Sequence, residues 1–427
     1  MKKQLLTALA VSFAVFSVHA LTAGAAKVEI AMDESAFPYK GHVDYTGIHD
    51  SLFARALVLS DGTTEAAFVV LDEGSVPFPK ETLSLVSKAS GIAESGIILS
   101  ATHTHSTLLS NMFGTPDKVL LAYIQHVQDS AVKAITEAKA NMKEAEISFI
   151  RTESFANVNN GELSNRDNGY DPSGFSDHTL DIMRVTEKNG SPIALLLNYP
   201  SHAEVMFKSV TKDGGSEISA DLPGAVANYL ETVSKTAPVV ISTAGAEGDQ
   251  LPLFKSRQET RAFGTVDYGR DGWVLMDILA RRVSETVIAA LPDMKAIGEQ
   301  KIAASASSVR IPGQKINLDR KNGKVLSVEK RADVEIPVSV ITIGSKNDGL
   351  AFEAVGGDVA AKLGSEIRSS SPYKNTVFVT MLAGSVGYIL DDESYKKPKH
   401  NAAGSPIQPG YAKKAISDGF KMLLQGK

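Results

Sequence analysis

Two histidines one residue apart, His103 and His105 in the stretch SATHTHS, close an apolar run that begins at Ile97, in a chain of 427 residues with nine histidines. Read as a strand end, the pair shares one face, because strand side chains alternate, and the rings lie roughly 7 Å apart along it. Two imidazoles on one face can ligate a metal, or can simply bond to backbone and water. His202 favours the first reading, since it follows a second apolar run, ALLLNYPSH. Catalytic zinc takes three protein ligands from His and carboxylate and leaves one position for water. Asp72 after VVL, Asp249 in AGAEGDQLP, Asp358 in VGGDV and Tyr388 in GSVGYIL are the further donors. Each Asp, taken singly, better suits a helix cap or turn, and Tyr388 suits a buried ring with its hydroxyl bonded; spacing does not choose among them.

Buried strands are needed to deliver these residues. Apolar runs bounded by turn residues recur at Ala66–Leu71, Ile97–Ala101, Ile193–Asn198 and Val239–Thr243, the texture of strands covered on both faces. Helical periodicity covers Glu81–Ala89, Lys118–Ala138, Leu222–Ser234, Trp273–Ala290, Val359–Arg368 and Tyr411–Leu424. Asp221, followed by Leu222–Pro223, marks a helix start. Alternating polar and β-branched residues between Lys301 and Val340, around Asn322–Gly323, predict hairpins that extend a sheet or form a small subdomain. The polar stretch from Asn157 to Asp177 is the main irregular segment, and loops of that length inside a compact fold are often functional. There is no HExxH helix, no Asp-His pair directly after His105, no GxSxG elbow and no P-loop, which argues against several common hydrolase types.

Composition is that of a globular protein, 43% hydrophobic and 22% charged, with net charge −5 and no basic stripe, so nucleic acid is not an expected partner. Cysteine is absent, which excludes disulfide staples and thiol catalysis. The N-terminus pairs two lysines with an apolar stretch from Leu5 to Val18 and small residues around Ala20 and Ala25, the pattern of a secretory signal peptide. That stretch is shorter than the ~20 residues of a spanning helix. The expectation is a leader over 1–25, one domain over 26–427, no transmembrane segment after cleavage, and a periplasmic or secreted location.

With these residues in view, the chain resembles the neutral, or alkaline non-lysosomal, ceramidase family in its catalytic domain. The motifs run in order: GIHDSLFARALVL from Gly47, SATHTHS, Asn165–Arg166, LLLNYPSHAEV around His202, SADLPG from Ser219, GDQLP from Gly248, LAFEAVGGDV from Leu350 and GYILDDESY from Gly387. It departs from the family at Thr107–Leu108–Leu109 after the first histidines, at Ala203–Glu204 after the second, at Leu251 in place of a serine, and at Asp358 where glutamate is usual.

The resemblance implies an α/β (mixed α+β) catalytic domain, with several mixed β-sheets and flanking helices around a metal site. It implies Zn2+ held by His103, His202, Asp358 and Tyr388, with His105 beside a metal-bound water and Arg166 at the substrate or the developing oxyanion. Asp249, Asp221 and Asp72 are expected in support. The implied reaction is hydrolysis of an N-acyl amide, ceramide or a ceramide-like lipid, with transient contact to a membrane surface. Two alternatives stay open: a zinc-dependent esterase, lactonase or amidohydrolase on a non-sphingolipid substrate, and a non-catalytic periplasmic binding protein on the same fold.

Overall fold

The structure, a computed structural model, describes residues 20–112, 114–161, 169–234, 238–260, 264–319, 324–396 and 400–425. Its apolar runs become strands buried on both faces, as in β3 and β4 below, where nearly every residue is inaccessible. The larger sheet contains β1 (Thr22–Glu29), β2 (Phe53–Ser60), β3 (Glu65–Leu71), β4 (Ile97–Ala101), β5 (Lys143–Glu153), β6 (Thr179–Glu187), β7 (Pro192–Tyr199) and β8 (Val239–Ala244), in the spatial order β8-β7-β6-β5-β1-β2-β3-β4, with Lys295–Ala296 added at β5. β7 and β8 are parallel, as are β3 and β4; the other neighbours are antiparallel. The second sheet is β9 (Ile302–Asp319), β10 (Lys324–Ile343), β11 (Leu350–Val355) and β12 (Asn375–Val379), with β11 and β12 parallel.

β1 joins β5 through just two residue pairs, Thr22 with Glu144 and Ala23 with Lys143, and the sheet folds over at that waist, so that edge strand β8 returns against β3 and β4. The two halves and the second sheet then enclose one core. Leu57, Phe68 and Ile98 enter it from the first half, Phe149, Met183 and Leu196 from the other, and Ile341, Phe352 and Val377 from the second sheet. Each such side chain gains about 1.5–3 kcal/mol on leaving water. Phe68 also meets Phe352 edge-on at 4.7 Å.

Helices cover the three outer sides: α1 (Pro79–Ser90) and α2 (Lys118–Ala140) on β1–β4, α3 (Asp221–Val233) and α4 (Gly272–Ala290) on β6–β8, and α5 (Ala361–Ser369) and α7 (Ala412–Gln425) on the second sheet. A short α6 (His400–Gly404) lies between the last two. α2 starts where Asp117 accepts from the Leu120 amide at 2.9 Å, and α1 starts at Pro79. Among the described residues no helix is long and apolar enough to cross a membrane.

The architecture is the expected mixed α/β fold of several sheets with flanking helices. The hairpin foreseen between Lys301 and Val340 is β9–β10, an extension of the second sheet rather than a subdomain. Three local expectations change. The polar segment 157–177 holds two short strands, Asn157–Gly161, which pairs with Gln250–Pro252, and Gly169–Asp171, which pairs with Asn157–Gly161, because Asn157 and Asn159 bond across to Gln250 and Asp249. The boundary expected after residue 25 falls inside β1, where Ala23 is wholly buried and residues 22–25 pair with 57–60. Most directly for function, β4 stops at Ala101, so His103 and His105 are not strand residues.

Candidate metal centre

The carboxyl ends of β4, β7, β8, β11 and β12 meet where the three sheet layers converge, and the turns leaving them carry the site. Thr104 bridges Ala203 and Ser100 bridges Leu382, tying the turns together. His103 sits in the left-handed backbone region, with φ of 62°. A non-glycine residue held there costs on the order of 1 kcal/mol and marks a position that its surroundings over-determine. The turn corrects the strand-period argument: the rings of His103 and His105 are 4.7 Å apart, with their Nε2 atoms at 3.2 Å, much closer than the expected spacing.

Each of two rings is oriented by a carbonyl. His103 Nδ1 donates to Gly74 O at 2.6 Å, and His202 Nδ1 donates to Glu247 O at 2.7 Å. A carbonyl oxygen can only accept, so both Nδ1 atoms carry the proton and Nε2 is the ligating nitrogen. The two Nε2 atoms lie 3.7 and 3.5 Å from Oδ2 of Asp358. Asp358 begins a two-residue strand, Asp358–Val359, that runs parallel to Tyr388–Ile389, so Asp358 and Tyr388 stand side by side in register.

Sequence reasoning passed over Glu247, two residues before Asp249 in the same turn. Glu247 is fully buried; one oxygen accepts from Thr380 Oγ1 at 2.6 Å, and Oε1 has no hydrogen-bond partner. Donor atoms of His103, Glu247 and Asp358 lie within 4.8 Å of one another, as do those of His103, His105 and His202. Gly248 makes this approach feasible, since a Cβ there would meet Asp358 O at 2.7 Å, and its amide donates to Val359 O at 2.8 Å. The sequence signal was the Glu-Gly pair ahead of Asp249, whose meaning depends on which carboxylate turns inward.

Electrostatics point the same way. Burial and the neighbouring Asp358 raise the Glu247 carboxyl well above its ordinary range. Burial works against a charged His202, yet Asp358, Glu204 and Glu247 outweigh it and push that ring up to about 10. Burial, with His202 beside it, lowers His103 in spite of Asp358. Burial, then Asp358 and its fellow carboxylates, hold the Tyr388 phenol well above its usual range. A buried set that is short of positive charge, with an orphaned carboxylate oxygen and imidazole nitrogens on one point, suits a divalent cation of borderline softness.

The remaining expected residues divide. Asp249 stands outside the cluster: it accepts from the Ala361 amide that opens α5 at 2.8 Å, from Gln250 Nε2 at 2.9 Å and from Asn159 Nδ2 at 3.0 Å. Asp221 is also turned away, accepting from the amides of Val205 and Met206 at 3.0 and 2.9 Å, and so fixes the turn after His202; burial pushes it up to about 6. Asp72 pairs with Arg55 in the core and accepts from the Phe53 amide, one strand removed from the metal position. Arg166 lies outside the described residues. The departures from the family pattern are placed too. Leu108 and Leu109 are buried in the core beneath α2, and Glu204 forms a buried ion pair with Lys255 at 3.1 Å while its Oε1 has no partner.

Residues 39–249 match the family described as neutral/alkaline non-lysosomal ceramidase, N-terminal. No curated protein matches the chain. Among solved structures, neutral ceramidase from Pseudomonas aeruginosa superposes with a TM-score of 0.71 at 15% identity, covering 95% of this chain and 73% of that one. A ceramidase complexed with C2 superposes with the same score at 14% identity, covering 95% and 74%. At such identity the likeness is one of fold. By sequence across residues 39–249 and by fold across nearly all of its length, the chain is similar to the neutral/alkaline non-lysosomal ceramidases.

Proposed function

We propose that the chain is a zinc-dependent hydrolase of an N-acyl amide, ceramide or a ceramide-like lipid. The observation that carries this reading is the convergence of His103, His202 and Asp358, with Glu247 behind them, at the meeting point of three sheets. Tyr388, in register with Asp358, completes the donor set. Zinc held there would supply a Lewis acid and a water acidic enough to ionise near neutral pH.

The chain's own residues do the rest. The reaction adds water across the amide: oxygen goes to the acyl carbon, the C–N bond breaks, and a proton passes to the departing amine. His105, with its Nε2 3.2 Å from that of His103, takes the proton from the attacking water and returns it to nitrogen. Its backbone is held for this by Tyr45 Oη at 3.1 Å and Ser110 Oγ at 2.6 Å, both donating to the His105 carbonyl. The resemblance assigns Arg166 to the negative oxygen of the tetrahedral state. Export belongs to the same reading: cleavage after Ala20 leaves β1 whole and delivers the enzyme to the periplasm or medium.

The test is metal analysis of the purified protein together with fatty-acid release from ceramide and other N-acyl amides. One zinc per chain and ceramide cleavage are expected. Cleavage of esters or lactones alone would replace the amidase reading, and a chain that binds no metal would leave the binding-protein alternative.

A further inference from the structure

β9 and β10 continue together well past the sheet to which they belong. Only residues 338–343 of β10 pair with β11, so the segment from Gly313 to Asp319, paired with Lys324–Arg331, stands out as a two-stranded arm. Its base is anchored, with Gly313 bridged to Ile407 and the Gln314 amide donating to Pro406 O at 2.8 Å. Beyond that anchor every residue of β10 from Lys324 to Asp333 is exposed. The exposed residues include large apolar ones. The register slips between Asn317–Ser327 and Leu318–Val325, which leaves Leu326 as an unpaired bulge residue that is 66% exposed, while Val328 is 58% and Val325 36% exposed. A bulge of this kind re-aims a side chain.

Charge around these residues has a sign. Lys315, Lys324, Lys330 and Arg331 face only Asp319 and Glu329 along the described arm, in a chain whose overall charge is −5. On the partner strand the apolar character turns inward. Ile316, the register partner of Val328, packs against the buried cluster of Ala360, Leu390 and Ala402, against which Tyr388 also packs. One strand pair therefore carries exposed apolar and basic side chains on one strand and, on the other, Ile316 as an apolar foot on the cluster that Tyr388 joins.

We propose that this arm docks on an anionic lipid surface, with Leu326 and Val328 entering the interface and the lysines lying among the headgroups. Apolar side chains flanked by long cationic ones match that boundary, since the stems follow the apolar layer while the ammonium groups stay with phosphate. Docking itself does not depend on the proposed reaction. The consequence that a lipid amide is passed along the foot of the arm toward Tyr388 rests on that reading.

The test uses the full chain with sedimenting vesicles of phosphatidylcholine, alone or mixed with phosphatidylglycerol. Binding to the anionic vesicles, weakened by salt, is expected, and both L326S/V328S and K324Q/K330Q should weaken it on the order of ten-fold while leaving the melting temperature and the hydrolysis of a short water-soluble N-acyl amide unchanged. Equal binding by wild type and both variants, or no binding by wild type, overturns the proposal. So does a concentration-dependent dimer that L326S/V328S abolishes, because the arm would then serve a second copy of the chain. Failure of the wild type to cleave any N-acyl amide would sink the reaction but leave the vesicle result to decide the docking.

Discussion

His103 and His202 come from the stretch that matches the family by sequence, a few residues past the ends of β4 and β7, each with Nδ1 tied to a backbone carbonyl. Asp358 and Tyr388 come from beyond that stretch, and they meet each other through a two-residue parallel bridge. The imidazole side is aimed by single hydrogen bonds within turns. The oxygen side is aimed by close backbone packing, with Gly248 pressed against Asp358. Hydrogen-bonded turns keep their residue types, because only certain side chains make those bonds, whereas close packing tolerates a shorter side chain if the backbone moves in. This is a physical reason why an aspartate, with its short side chain, can serve at 358.

The largest effects should fall on the imidazole side. H103A and H202A are expected to lose stoichiometric zinc and all turnover, measured by metal analysis and fatty-acid release; retention of full zinc by either would move the ligand set to the oxygen side. H105A should keep zinc and lose about 10²–10⁴-fold in turnover, as for removal of a proton-transfer group. Zinc loss in that variant would make His105 a ligand.

On the oxygen side the contrast between neighbours is sharper. E247Q should weaken zinc binding about 10–100-fold, whereas D249N should leave the affinity alone and lower stability by roughly 1–3 kcal/mol, read by competition with a chelator and by urea melts. The reverse pattern would restore Asp249 to the centre. The smallest effect is expected at Glu353 on β11, a buried carboxyl that lies outside the metal cluster and that burial pushes up to about 7. Because its folded value lies above the unfolded one, its favourable contribution is present below the unfolded pKa of 4.5 and is lost as pH rises through about 7. E353Q should therefore stabilise the chain by roughly 1–3 kcal/mol at pH 8, with no gain below pH 4.5 and no change in zinc content. A gain independent of pH would mean that repacking, not charge, is responsible.

Much of the scaffold could be read beforehand. The strand Ile97–Ala101 and the helix starting at Lys118 fall where periodicity places them, because a strand covered on both faces needs an unbroken apolar run and a helix between core and solvent needs a 3.6-residue alternation. The site was legible only as residue types at strand ends. Strand periodicity put His103 and His105 on one face for the wrong reason, since the left-handed turn at His103 aims it. In the turn Glu247-Gly248-Asp249 the sequence offers two acids of similar promise; one joins His103 and Asp358 and the other receives the first amide of α5.

By itself, then, the sequence determined which segments are buried strands, that imidazoles follow two of them, and that no thiol takes part. These properties are local, written in the order of apolar and polar side chains. Tertiary structure alone decided which carboxylates join the imidazoles, because that depends on the folding of the large sheet at its two-pair waist and on glycine letting the 247–249 turn touch Asp358. Residues more than a hundred positions apart acquire a common electrostatic field only when three layers close around them, and the chemistry resides in that field.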